Sequence, residues 1–221
     1  MKISVVIPTL NEEKNLPILL NEIKRSKLVD EIIIVDGHSG DKTVEIAKNF
    51  DCNILYDDVG KGSALRKGLY AAQGDIIVAM DADLSMRVNE IKLLISGIEA
   101  GYDICMGSRL IQGGGTEDMP LLRKLGNKFF VFLVNLFWKT NYSDLCYGYR
   151  SFRKSCIKEL DLRSDGFGIE TEISIKAAKK NLKILEVPSF EKSRKFGKGK
   201  LRTFNDGWEI LKTIINELLE K

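Results

Sequence analysis

"ISVVIPTLNEEKNLPILLNEIKRSKLVDEIIIVDG", residues 3–37, decides how the chain is read. A short apolar run, 3–8, is followed by a segment in which Leu16, Leu19, Leu20 and Ile23 recur at helical spacing. A second apolar run, 31–35, ends on Asp36 and Gly37. Strand, helix, strand is the unit of a parallel sheet. The unit repeats outward. "SGDKTVEIAKNF" starts a helix that Ser39 or Asp41 can cap, "CNILYD" is a short strand, and "GKGSALRKGLYAA" turns through glycines into a helix. "DIIVAMDAD", "NEIKLLISGIEAG" and "YDICMGSR" add strand, helix and strand. The expected fold class is α/β: a mostly parallel sheet with helices on both faces.

The pattern changes after residue 110. "QGGGTEDMP" reads as a flexible loop, and "LLRKLGNKFFVFLVNLFWKT" as a helix whose second half is unusually apolar. "SDLCYGYRSFRK" is strand or turn, "IETEISIKAAKKN" a helix and "LKILEVPSF" a strand. "FNDGWEILKTIINELLEK" is an amphipathic C-terminal helix. One domain, 1–221, is expected. Within it the change of pattern marks off 1–110, 111–204 and the terminal helix 205–221.

The 221 residues are 44% hydrophobic and 29% charged, enough for one core and unlike a disordered chain. A net charge of +3 does not argue for nucleic acid. The positive charge is concentrated: "KSRKFGKGKLR" carries six basic residues and no acidic one. Cys52, Cys105, Cys146 and Cys156 show no C-x-x-C spacing, so neither a zinc motif nor a disulfide framework is expected. Cys52 and Cys105 read as buried thiols, and a reducing cytoplasm fits. The N-terminus lacks a signal-peptide pattern, and no stretch approaches the roughly 20 apolar residues of a spanning helix.

Ligands of open parallel sheets lie beyond the carboxyl ends of the strands. Asp36, Asp81 and Arg109 each follow a strand's apolar run and are therefore expected on one rim. Asp81 and Asp83, one residue apart at a strand end, suit a hard divalent cation that bridges carboxylate to diphosphate. A solvated turn, or the D-x-D-x-[TV] pattern of a phosphoryl-accepting aspartate, are competing readings. The latter is opposed by Ser85, by the three preceding strands and by the lack of a downstream acidic pair. Asn11 and Glu12 either bind a ligand or only serve the first turn of the next helix. His38, the only histidine, reads as structural. Gly60, Lys61 and Gly62 before a helix suit phosphate without forming a Walker A loop.

In order, "VVIPTLNEE", "IIIVDGHSGDKT", "GKGSALRKG", "IVAMDADLS", "GSR", "SDLCYGYR", "GFGIETE" and "EVPSFEKSRKFGKGKLR" resemble family 2 glycosyltransferases of the GT-A (Rossmann-like) fold. The resemblance is to the dolichol-phosphate mannose synthase-like branch and covers residues 3–202. It implies a nucleotide-binding half, 1–110, and an acceptor-side half, 111–204, in which Pro8, Glu12 and Asp36 hold base and ribose and Lys61 and Arg66 line the donor site. Asp81 and Asp83 would bind ribose and a metal–diphosphate, with Mg²⁺ or Mn²⁺ as cofactor. Arg109 would lie near the sugar or acceptor phosphate. Arg194 and Lys200 would clamp phosphate from a basic loop that is mobile without ligand. Asp144, Arg150 and Glu170 fall in acceptor-side motifs. Gly37 and Ser85 stand where the family often has a second acid and a glutamine.

The implied activity is inverting, metal-dependent transfer from a nucleoside-diphosphate sugar to a polyprenyl (dolichyl) phosphate. The chain would be peripheral on the cytoplasmic face of a membrane, with homo-oligomers possible. The alternatives are a soluble transferase acting on a small-molecule or glycan hydroxyl, with Asp144 as base, and a nucleotide-sugar-binding protein without turnover. The apolar core 129–138 with its cationic flanks is the expected membrane contact.

Overall fold

A computed structural model of the chain describes residues 1–197, 199 and 203–220. Nine strands and eight α-helices are found among them. The strands are β1 (Ile3–Thr9), β2 (Glu31–Asp36), β3 (Asn53–Tyr56), β4 (Ile76–Ala79), β5 (Ile104–Ser108), β6 (Gly115–Thr116), β7 (Arg150–Arg153), β8 (Ile184–Pro188) and β9 (Phe190–Glu191). The helices are α1 (Leu16–Ser26), α2 (Thr43–Asn49), α3 (Lys61–Ala71), α4 (Ile91–Glu99), α5 (Leu121–Trp138), α6 (Lys154–Leu160), α7 (Ile169–Lys179) and α8 (Thr203–Leu219).

The main sheet has the order β3-β2-β1-β4-β7-β5-β8. Every neighbouring pair is parallel except those of β7, which runs antiparallel between β4 and β5. A small parallel pair, β6 with β9, stands beside it. The expected parallel sheet is therefore present, with one reversed strand drawn from the second half of the chain.

Burial on both faces explains the strands' continuous apolar runs. Val5 and Ile7 of β1 face α1, α2 and α4, through Leu16, Leu20, Ala47, Ile91 and Leu94. Val6, between them, faces the opposite layer, where α3, α6, α7 and α8 contribute Leu65, Ile157, Ile173 and Ile210. The period of two along β1 meets the helical period on either side, which holds the sheet between two helical layers.

Two expectations change. "QGGGTEDMP" is not free: Gly115 N donates to Ser189 O at 3.1 Å and Glu117 N to Glu191 O at 2.9 Å. Cys52 is half-buried, whereas Cys105 is fully buried; all four thiols are free. Helix α5 splits its apolar residues: Val134 is in the core with Phe130, Val131, Leu133 and Trp138 packed against it, and a second stripe faces outward. Only Asn127 and Val134 are fully buried on this helix, while Leu122, Leu125, Phe129, Phe132 and Leu136 are exposed at 3–4-residue spacing. Among the described residues no helix is long and apolar enough to cross a membrane.

Candidate active site

Because β1, β2, β4 and β5 run the same way, their carboxyl ends share one rim. A cavity of about 560 Å³ opens there. Of the residues expected at the site, Pro8, Glu12, Lys61, Asp81, Asp83, Arg109, Glu170 and Arg194 line it.

Lys61, the first residue of α3, points its ammonium group between two carboxylates, 3.0 Å from Asp81 Oδ1 and 3.0 Å from Glu170 Oε1. Burial works against that charge, but Asp81 and Glu170 outweigh it and hold the lysine above its ordinary range. The glycines on either side allow the approach. Gly62 N and Ser63 N donate to Asp165 O at 2.8 and 3.0 Å, and a side chain at Gly62 would run into Ser164 O and Gly166 O.

Asp83 is divided between two tasks. Its Oδ1 accepts Ser85 N at 3.0 Å, which fixes the turn after β4. Its Oδ2 lies 3.1 Å from Arg194 Nη2. Arg194 also stands 3.8 Å from Asp118. The segment carrying it is anchored just before it: Lys192 N donates to Ser85 O at 2.8 Å, and Ser193 N to Glu117 at 3.1 Å. Residues 192–196 thus lie across the rim, with Arg194 on a carboxylate.

Arg109 follows β5 and is almost fully buried. Its Nε and Nη2 donate to the two oxygens of Asp144 at 2.7 and 3.0 Å, and its Nη1 lies 3.1 Å from both oxygens of Glu191. The guanidinium stacks over Tyr147, 4.5 Å from the ring centre. Burial opposes its charge, and Asp144 and Glu191 overcome that and push it up.

Four expected residues among those described do not line the cavity. Asp36 is fully buried and accepts from Thr9 Oγ1 (2.8 Å) and Ser39 N (2.7 Å), so it holds the turn beneath the rim. Arg66 pairs with Asp165 at 2.9 Å, outside the cavity. Asp144 is fully buried behind Arg109 and also accepts Asn127 Nδ2 at 3.0 Å. Arg150 is buried, donating to Tyr147 O, Leu145 O and Ser174 Oγ; burial pulls it below the usual arginine range. These buried partners brace the rim from behind. Lys200 lies outside the described residues. His38 is structural, stacked on Tyr56 with ring centres 5.4 Å apart.

Glu191, Asp118 and Arg123 line the cavity without having been singled out. Glu191 sits at the edge of the basic run, and its charge drew no attention beside six cations. Arg123 lies on α5, which reads first as an apolar helix.

At one end the cavity wall is polar and carries the carboxylates and Lys61. At the other it is formed by Met119, Leu122 and Phe130 with Phe204 and Ile210, from α5, α8 and the loop before α5. Asp81 and Asp83 are oxygen donors of the kind that Mg²⁺ or Mn²⁺ takes. Among the described residues no cluster of three or more His, Cys, Asp or Glu forms a closed metal cage. With two carboxylates present, phosphate oxygens and water would supply a cation's remaining ligands, the usual habit of Mg²⁺.

A sheet of this order, helices on both faces and a D-x-D at the end of β4 define a GT-A domain. The family model for "Glycosyl transferase family 2" matches residues 4–161, and the chain belongs to that family. It is 36% identical over 212 residues to a dolichol-phosphate mannosyltransferase of Pyrococcus furiosus, covering 91% of this chain and 60% of that protein. It is 29% identical over 223 residues to a dolichyl-phosphate hexose transferase of Haloferax volcanii, covering 99% and 95%. The fold superposes with a TM-score of 0.77, at 20% identity, on glucosyl-3-phosphoglycerate synthase from Mycobacterium tuberculosis, covering 98% of this chain and 80% of that one. That structure holds Mn²⁺, UDP and glucosyl-3-phosphoglycerate.

Proposed function

We propose that the chain is a metal-dependent, inverting glycosyltransferase that moves a sugar from a nucleoside-diphosphate sugar to a polyprenyl phosphate at a membrane surface. The observation that carries this reading is the two-ended cavity: carboxylates and cations at the strand ends, and an apolar wall between α5 and α8. The names of the relatives from Pyrococcus furiosus and Haloferax volcanii support the acceptor class.

In this reading Pro8 and Glu12 hold the nucleoside and Asp81 the ribose side, while Asp83 is the direct ligand of Mg²⁺ or Mn²⁺. The cation, when bound, neutralises charge building on the leaving diphosphate. Lys61 and Arg194 add fixed positive charge to the same oxygens. Arg109 faces the acceptor end. Asp144 and Glu191 hold its guanidinium in one orientation, so little reorganisation is needed when an anionic acceptor arrives. A lipid phosphate is already ionised at neutral pH and needs no strong base. The exposed stripe of α5 and the exposed Phe204 and Trp208 of α8 would lie in the headgroup layer, with the cations of 192–202 attracted to anionic lipid. On this reading the chain works from the cytoplasmic face.

A second reading, transfer to a hydroxyl acceptor, has one observation in its favour. Glu191 lines the cavity beside Arg109 and is a better-placed base than Asp144, which is sealed behind that arginine.

The test is a donor panel of GDP- and UDP-sugars with Mn²⁺ and a short polyprenyl phosphate, reading labelled sugar in the organic phase. Transfer to the lipid that is lost on chelation is the expected result. Labelling of a soluble hydroxyl acceptor alone establishes the second reading.

A further inference from the structure

We propose that Arg194 is a built-in counter-ion of the D-x-D, competing with the divalent cation for Asp83 Oδ2 until a nucleoside diphosphate draws it away. The inference rests on the metal site proposed above. It adds that the chain's own cation antagonises the bare metal and cooperates with the metal–nucleotide pair.

Both oxygens of Asp83 are already engaged. Oδ1 is used by Ser85 N at 3.0 Å, and Arg194 Nη2 stands 3.1 Å from Oδ2. Both partners are largely shielded, with side-chain exposures of 23% and 11%, so solvent screens the pair less than on an open surface. The arginine is aimed rather than loose. The bonds of Lys192 to Ser85 O and of Ser193 to Glu117 fix the backbone just before it, and Asn15 Nδ2 reaches Phe196 O at 3.4 Å just after it.

A Mg²⁺ ligand oxygen stands about 2.0–2.1 Å from its ion. An ion there would lie within a few ångströms of the guanidinium, and the two positive charges would repel at close range in a shielded site. The metal alone must therefore displace Arg194. A nucleoside diphosphate reverses the balance, because its oxygens give Arg194 a new anionic partner of the kind that arginine binds well. Asp118, 3.8 Å from Arg194 Nε, offers the side chain a second carboxylate when Asp83 is taken. Free metal is thus held weakly and metal with diphosphate strongly, through one side chain.

Mn²⁺ binding to the full chain, measured by electron paramagnetic resonance or titration calorimetry, tests this without turnover. Arg194→Gln is expected to bind Mn²⁺ alone roughly fivefold tighter than wild type, the equivalent of about 1 kcal/mol. The same variant is expected to bind UDP or GDP in the presence of Mn²⁺ more weakly than wild type. Lys195→Gln removes an exposed neighbouring charge and is expected to leave Mn²⁺ affinity within about twofold. Unchanged or weaker Mn²⁺ binding by Arg194→Gln overturns the inference, and so does equal tightening in Lys195→Gln. If no form binds Mn²⁺ with or without nucleotide, while circular dichroism shows them folded, the metal-site reading itself falls.

Discussion

At the scale of single residues, two aspartates near the rim carry different work. Asp83 lies at the rim, held by one backbone bond and the Arg194 ion pair and not by core packing, so Asp83→Ala is expected to abolish transfer with the thermal midpoint only slightly changed. Asp144 is fully buried with both oxygens engaged by Arg109. Its removal leaves a buried guanidinium with Glu191 as its remaining carboxylate. Asp144→Ala is therefore expected to lose about 3 kcal/mol of stability, read from the denaturant midpoint; a base with no structural task would lose rate alone. Cys146 gives a pH-dependent check. Burial, helped by Asp144, pushes its thiol up to about 12. At neutral pH it stays protonated, and alkylation is expected to run at least roughly a hundredfold slower than for a free thiol, rising steeply above pH 10. The sequence made Asp83 legible because a D-x-D after an apolar run is local. It did not reveal that Asp144 serves Arg109, since that pairing forms only when the chain brings Ser108 and Ser143 together, their hydroxyls 2.6 Å apart.

At the scale of elements, the periodic helices and the strands rich in β-branched residues were readable because their faces repeat. The short α6, "KSCIKEL", was not, having too few turns to show a period. The reversal of β7 was hidden as well. "RSFR" reads as two-sided polar, yet Arg150 and Ser151 are buried because β4 and β5 flank them. Helix α3 packs so closely on the sheet that a Cβ at Gly68 would stand 2.9 Å from Val35 Cγ2 and collide with Val6. Gly68→Ala is expected to cost about 1–3 kcal/mol, despite the better helix propensity of alanine, as measured by urea unfolding. Helix α5 presents the opposite case, an apolar stripe with nothing over it. Replacing Phe129, Phe132 and Leu136 by serine is expected to leave the melting temperature unchanged or higher and to reduce flotation with anionic liposomes by at least about tenfold.

At the scale of the whole molecule, the site joins distant parts of the chain: the D-x-D of β4, Lys61 of α3, Glu170 of α7 and Arg194 beyond β9. That Asp81 and Arg109 meet on one rim was legible, because it follows from parallel strands; that Asp36 lies buried beneath it was not. The closing contacts were not, because an arginine's partner depends on where the last turns of chain fall. The position of β7 has a consequence for how the protein is made. Ile76 of β4 pairs with Arg153, and Ile104 of β5 pairs with Phe152, so β4 and β5 do not touch until β7 arrives between them. A nascent chain that has reached only the end of β5 holds the β3-β2-β1-β4 block with an unpaired edge at β4 and no neighbour for β5. Such an edge recruits other strands. Completion of the sheet waits on long-range pairing, a slow class of folding step. A fragment ending near residue 110 is expected to aggregate or bind a holdase on the ribosome. Pulse proteolysis of stalled chains should show protection appearing only once β7 has emerged from the exit tunnel.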